Sequence, residues 1–229
     1  MRKKVVSAIL CASMVAGMVV IPGVAVKADD KKLIGVTMPT KDLQRWNQDG
    51  ENMKKELEAA GYEVDLQYAS NDVSTQVSQL ENQVANGCDL LVVASIDGSS
   101  LGEPLKQAKE AGIPVISYDR LIQGTTTDLY ITVDNESVGE EMGKTMLEKL
   151  PDGGNIVMIC GPESDANSQD VAKGFEKMIK DSNLNVVKKI SVSSWKPETG
   201  FQAVNEALAE LEEVDGVMCG NDAIAGYVI

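Results

Sequence analysis

Histidine is absent from this chain of 229 residues. Without an imidazole there is no Ser-His-Asp or Cys-His relay and no His-ligated metal site. Cysteine is scarce as well. Beyond Cys11, which sits in an apolar N-terminal run, there are only Cys88, Cys160 and Cys219, an odd set with no C-x-x-C spacing. That argues against a disulfide framework and against dithiol redox chemistry. Cys160 and Cys219 each close an apolar run, where a free thiol behaves as a small buried hydrophobe. No G-x-G-x-x-G and no Walker A pattern occurs. Asp181-Ser182-Asn183-Leu184-Asn185 opens like a calcium loop but lacks the glycine at its sixth position and the closing glutamate, so it reads as a turn. No catalytic residue, metal site or cofactor is expected.

What is present begins with an export signal. Met1-Arg2-Lys3-Lys4 is basic, Val5 to Val26 carries no charge, and Val26-Lys27-Ala28 offers small residues around a cleavage point. This is the layout of a secretory signal peptide over residues 1–28. The apolar run is long enough for an uncleaved anchor, but Pro22-Gly23 and the Val-x-Ala end favour cleavage. Leu10 before Cys11 argues against a lipid anchor there. The chain is therefore expected outside the cytoplasm, in a periplasm or at the extracytoplasmic surface. Cleavage removes four basic residues and no acid, leaving 17 basic against 35 acidic residues, a net charge of −18. Such a field repels phosphate backbones and anionic lipid, so nucleic acid is not an expected partner.

From residue 31 the chain alternates between apolar runs and amphipathic stretches. Strands are expected at Leu33–Met38, Glu63–Tyr68, Leu90–Ala94, Pro114–Tyr118, Leu129–Val133, Asn155–Cys160, Val186–Val192 and Val214–Cys219. Helices are expected at Gln44–Ala60, Thr75–Ala85, Leu101–Ala111, Ser137–Leu150, Val171–Ile179 and Gly200–Leu211. Strands that alternate with helices imply an α/β fold with parallel sheets wound on both faces. So many units suggest two Rossmann-like lobes, over residues 31–133 and 134–229, with Asp134-Asn135 starting the helix that opens the second. The second lobe reads as truncated, because the chain stops just inside a new helix.

In open parallel sheets, ligands bind beyond the carboxyl ends of the strands. Few polar residues fall there, and they form a coherent set. Arg45 and Trp46 follow the first strand, and Asp119 with Arg120 follows the fourth. Asp165 and Asn167 follow the strand ending at Cys160, Trp195 the next, and Asn221 with Asp222 the last. Planar Asp, Asn and Arg groups can each bind two neighbouring hydroxyls, and a pyranose presents apolar C–H faces to flat aromatic rings. Both tryptophans, and both arginines beyond residue 28, lie at such ends. Each has a blander reading: a core tryptophan, a surface Asp119–Arg120 ion pair, an N-cap at Asn221-Asp222, a turn at Asp165 and Asn167. The expectation of a sugar site rests on the group.

The phrases Asp42-Leu43-Gln44-Arg45-Trp46, Tyr118-Asp119-Arg120-Leu121-Ile122, Val133 to Gly139, Trp195-Lys196-Pro197-Glu198 and Asn221-Asp222-Ala223 resemble the D-xylose-binding branch of the type I periplasmic sugar-binding proteins. The resemblance spans residues 31–229. It implies a two-lobed, hinged, monomeric receptor, without catalysis, that closes on one monosaccharide and delivers it to the membrane permease of an ABC transporter. By the same resemblance Arg45, Asp119, Arg120, Asp165, Asn167 and Asn221 would hydrogen-bond the sugar, Trp46 and Trp195 would stack on it, and Asp222 would cap the helix. Two alternatives share these residues. One is a receptor that reports sugar to a membrane sensor. The other is a carboxylate glycosidase using Asp119 and Asp165, which two adjacent arginines disfavour, because they suit binding and spoil a general acid.

Overall fold

The computed structural model describes residues 31–229. The expected signal peptide at 1–28 lies outside the described residues. Eight strands and seven helices alternate among them, from β1 (Leu33–Met38) and α1 (Gln44–Ala59) to β8 (Gly216–Cys219) and α7 (Asp222–Val228). Between these run β2 (Glu63–Tyr68), α2 (Val73–Ala85), β3 (Leu90–Val93), α3 (Gly102–Glu110), β4 (Val115–Tyr118) and β5 (Leu129–Ile131). Then follow α4 (Asn135–Lys149), β6 (Gly154–Cys160), α5 (Ala166–Ile179), β7 (Leu184–Ser191) and α6 (Pro197–Glu210). The strands form two sheets, β2-β1-β3-β4-β5 and β7-β6-β8, and every pairing is parallel.

Side-chain alternation along the strands builds a core on each face. Ile34, Val36 and Met38 of β1 point to α1, where Trp46 is buried among them. Leu91 and Val93 of β3 point to the other face, against Leu80 of α2 and Leu105 of α3. The second sheet repeats the plan: Ile156 and Met158 pack on Phe175 of α5, Val157 and Ile159 on Val204 of α6 and Ile224 of α7. Strands so enclosed read as continuous apolar runs, as buried parallel strands do. Helices α4 and α5 approach very closely. A Cβ on Gly139 would overlap the Val171 carbonyl, and one on Gly174 the Glu136 carbonyl.

Several boundaries move relative to the sequence reading, each for a local reason. Helix α5 starts at Ala166, five residues before the expected Val171, because Asp165 caps it. Its polar first turn carries no apolar periodicity, so it reads as loop in sequence. Strand β5 ends at Ile131 rather than Val133, and β8 starts at Gly216 rather than Val214. Asp134 caps α4 by accepting from the Ser137 amide, which moves that helix start to Asn135. No helix among the described residues is long and apolar enough to cross a membrane.

Candidate functional site

The parallel winding aims the carboxyl ends of both sheets at one cavity of about 680 Å³. All eight residues singled out at strand ends line it: Arg45, Trp46, Asp119, Arg120, Asp165, Asn167, Trp195 and Asn221. They arrive on five separate connections, after β1, β4, β6, β7 and β8.

The connection after β4 carries the centre of the arrangement. Asp119 has a φ of 63°, in the left-handed region, where aspartate is one of the few non-glycine residues found with any frequency. The Arg120 amide donates to the Tyr118 carbonyl at 2.7 Å, which closes a γ-turn, a tight and strained form. Ser117 Oγ braces the turn, donating to the Arg120 carbonyl at 2.7 Å and accepting from the Ile122 amide at 3.2 Å. The effect is to send two adjacent, opposite charges to different partners. They form no surface pair with each other: Asp119 is 6% exposed and Arg120 8%.

Asp119 accepts from Arg45 Nη2 at 2.6 Å and from Asn167 Nδ2 at 3.2 Å. Arg120 Nε lies 3.1 Å from Asp165 Oδ2, and its Nη1 donates to the Ser95 carbonyl at 3.0 Å. Asp165 also caps α5 through the Asn167 amide at 3.1 Å and accepts from Trp195 Nε1 at 2.8 Å. Asn167 Nδ2 donates in addition to the Asp119 carbonyl at 3.1 Å. The Arg120–Asp165 pair and the Asn167–Asp119 bonds thus join residues that follow the first sheet to residues that follow the second.

The tryptophans differ in setting. Trp46 is buried beneath both guanidiniums, with Arg45 4.6 Å and Arg120 5.1 Å from its ring centroid. Those distances are within the range of a cation–π attraction. Trp195 is half-buried, and its ring lies against Gly161 and Gly220 at the ends of β6 and β8. A Cβ on Gly161 would overlap the indole, and one on Gly220 would come within 3.0 Å of it. Neither glycine was singled out from the sequence. The signal was available, since each directly follows a strand-ending cysteine.

Burial, then the neighbouring Arg45 charge, pull the Arg120 guanidinium below its ordinary value, against the attraction of Asp165 and Asp119. For Arg45, burial works the same way but is outweighed. The Asp119 hydrogen bond and charge, with Asp49 and Tyr118, raise it. Asp49 Oδ2 lies 3.5 Å from Arg45 Nε and accepts from the Tyr118 hydroxyl at 3.2 Å, so it is a second carboxylate partner of Arg45.

Asn221 Oδ1 accepts from the Ile224 amide at 2.8 Å and caps α7. Asp222 was expected to be the cap. It is instead the first helical residue, where its charge favours the positive helix end, and it also lines the cavity. The cap falls to Asn221 because that residue keeps an extended backbone (φ −152°, ψ 164°), the conformation an N-cap needs. Asn135, read only as a helix start, lines the cavity too, as do Cys160 and Ser168. Burial pushes the Cys160 thiol up, which keeps it protonated and a poor nucleophile. Among the described residues no group of three or more His, Cys, Asp or Glu side chains could hold a metal ion.

Arg45, Arg120, Asp119 and Asp165 pair their charges two by two. The cavity therefore offers planar donors and acceptors beside an aromatic wall, with little net field from those four. It suits a neutral ligand rich in hydroxyls.

A family model described as a periplasmic binding protein domain matches residues 34–229. A multiple sugar-binding periplasmic receptor of Rhizobium radiobacter is 36% identical over 97% of this chain and 68% of its own length. A D-xylose-binding periplasmic protein of Escherichia coli is 34% identical over 100% of this chain and 69% of its own. Among solved structures, an ABC transporter solute-binding protein of Clostridium phytofermentans with bound β-D-glucose is 46% identical. It superposes with a TM-score of 0.80, covering 86% of this chain and 67% of that one. The chain spans about 60 to 69% of the length of the first four curated relatives it matches.

Proposed function

The chain belongs to the periplasmic binding protein family, and from that premise we propose that it is the extracytoplasmic receptor of a sugar ABC transporter. It binds one monosaccharide in the cavity, between lobes comprising residues 31–133 and 134–229, and delivers it as a monomer to the membrane permease. The observation that carries this reading is the convergence of eight polar and aromatic residues from five connections on one cavity.

Arg45, Asp119, Arg120, Asp165, Asn167 and Asn221 are the polar contacts in this proposal, and Trp46 and Trp195 the aromatic ones. Several already bond to one another across the two halves. A sugar that exchanges those bonds for its own hydroxyls would select the closed arrangement over others, which is all a ligand need do to drive a hinge.

The ligand is an aldopyranose, with D-xylose first and D-glucose beside it. The relatives named above bind several sugars or D-xylose, and the solved structure holds glucose. The two sugars share every ring hydroxyl and differ by one hydroxymethyl group, so one set of planar polar groups serves both. Titration of D-xylose and D-glucose into the full-length protein, read by calorimetry and by tryptophan fluorescence, tests this. Saturable binding of either is expected. Silence toward every common aldose would falsify the receptor reading.

A further inference from the structure

We propose that Ser168 is a further ligand contact, whose hydroxyl hydrogen-bonds one hydroxyl of the bound sugar and helps select which sugar is held. This rests on the receptor reading above. Three buried side-chain polar atoms among the described residues have no hydrogen-bond partner: Asn47 Oδ1, Gln79 Oε1 and Ser168 Oγ. Asn47 and Gln79 lie on α1 and α2 and do not line the cavity, whereas Ser168 does. It is 4% exposed. Leaving a buried hydroxyl unpaired is costly, and native structures do so rarely.

Its place in the helix denies Ser168 the partner a helical hydroxyl usually finds, because the residue four earlier, Ser164, precedes α5. Hydroxyls within helices commonly donate back to a carbonyl one turn earlier. Thr145 does this on α4, bonding the Glu141 carbonyl at 2.9 Å. Ser168 sits in the first turn of α5, three residues after the Asp165 cap, and its amide is held by the Asp165 carbonyl at 3.1 Å. The cap that places Asp165 and Asn167 therefore also places Ser168, on the same turn and at the same cavity.

Its chemistry completes the set. The two arginines can only donate, and the ionised aspartates can only accept. A sugar hydroxyl that gives its proton to an aspartate still has lone pairs to satisfy. A serine hydroxyl can donate to them, or accept if the proton is turned the other way. Ser168 would thus match the second valence of a hydroxyl already held by a charged neighbour.

The test compares wild-type full-length protein with Ser168→Ala, by calorimetric titration of D-xylose, D-glucose and their monodeoxy analogues, and by thermal melts without sugar. The variant should bind the preferred sugar about five- to tenfold more weakly, the loss expected for one buried hydrogen bond. Its sugar-free Tm should stay level or rise, since an unpaired buried hydroxyl has been removed. One deoxy analogue should cost the wild type affinity and cost the variant almost none. Unchanged affinity in Ser168→Ala, with the wild type binding sugar, would overturn the assignment and leave the receptor reading standing. Weakened binding with a lowered sugar-free Tm would overturn it too, as the mark of a structural hydroxyl. A wild type that binds no aldose would sink both.

Discussion

Replacing Gly161 by alanine should dislodge Trp195, and the size of the effect can be worked out atom by atom. The added Cβ would lie 2.5 Å from indole Cε2 and nearer still to Cζ2 and Cη2. Ordinary carbon–carbon contacts are about 3.5–4.0 Å, so the ring must retreat by more than about 1 Å. Its Nε1 bond to Asp165, at 2.8 Å, does not survive such a shift. Gly161 does not have a positive φ, so alanine adds no left-handed backbone strain to this contact. Overpacking costs about 1–3 kcal/mol and losing a hydrogen bond to a charged group about 1.5–3 kcal/mol. These overlap, giving about 2–4 kcal/mol in all and a Tm lower by about 5–15 °C for a chain of this length. Gly220→Ala is the internal control. Its Cβ would meet the same ring at 3.0 Å, a clash that a small tilt relieves, at about 1 kcal/mol or less. The assay is a pair of thermal melts with tryptophan emission spectra, and Gly161→Ala should show the larger red shift. Equal stabilities, or Gly220→Ala the worse of the two, would refute the reasoning that Trp195 is seated by the bare backbone at Gly161.

Asp165→Asn keeps an oxygen for the α5 cap but removes the charge facing Arg120, whose side chain is 10% exposed. A buried charge stripped of its partner costs about 3–5 kcal/mol. Asp119 nearby should hold the loss, read by urea denaturation, to the lower end of that range, and a loss under about 0.5 kcal/mol would contradict the pairing. In thiol labelling of the native protein at pH 8, Cys219, which is only part-buried, should react before Cys88 and Cys160. Burial pushes the Cys88 thiol up to about 11, so only about one molecule in a thousand carries the thiolate there. Cys88 labelling first would be the contrary result. Asp72, the cap of α2, is held at about 2 by Ser74 and Thr75, against an ordinary 3.8. A depressed carboxyl contributes stability that is present above its unfolded value and lost as pH falls through the folded one. Asp72→Asn should therefore flatten the stability profile between about pH 4 and pH 2, and a profile parallel to wild type would refute that.

Much of this architecture is written locally. Leu33–Met38, Leu90–Val93 and Gly154–Cys160 are mostly apolar runs, and such runs need no partner to be recognised as strands. Once the strands are known, the parallel winding says where their carboxyl ends point, and Arg45, Trp46, Asp119, Arg120, Asp165, Asn167, Trp195 and Asn221 follow from position alone. The start of α5 was not legible, because its first turn faces the cavity and carries no apolar stripe. Ser168 was hidden in that same turn.

Sequence by itself therefore determined the α/β alternation, the acidic, histidine-free chemistry and the small set of strand-end polar and aromatic residues that line the cavity. Those properties depend on composition and on periodicities of a few residues, which any single segment displays. Only the tertiary structure decided who meets whom. Arg45 finds Asp119 across 74 positions of chain and Asn167 reaches the same aspartate across 48. Arg120 turns away from its neighbour to Asp165, and Trp195 rests on two glycines that follow β6 and β8. Such pairings depend on strand order and on one γ-turn at Asp119. Both are products of packing between distant segments, so no local pattern could have carried them.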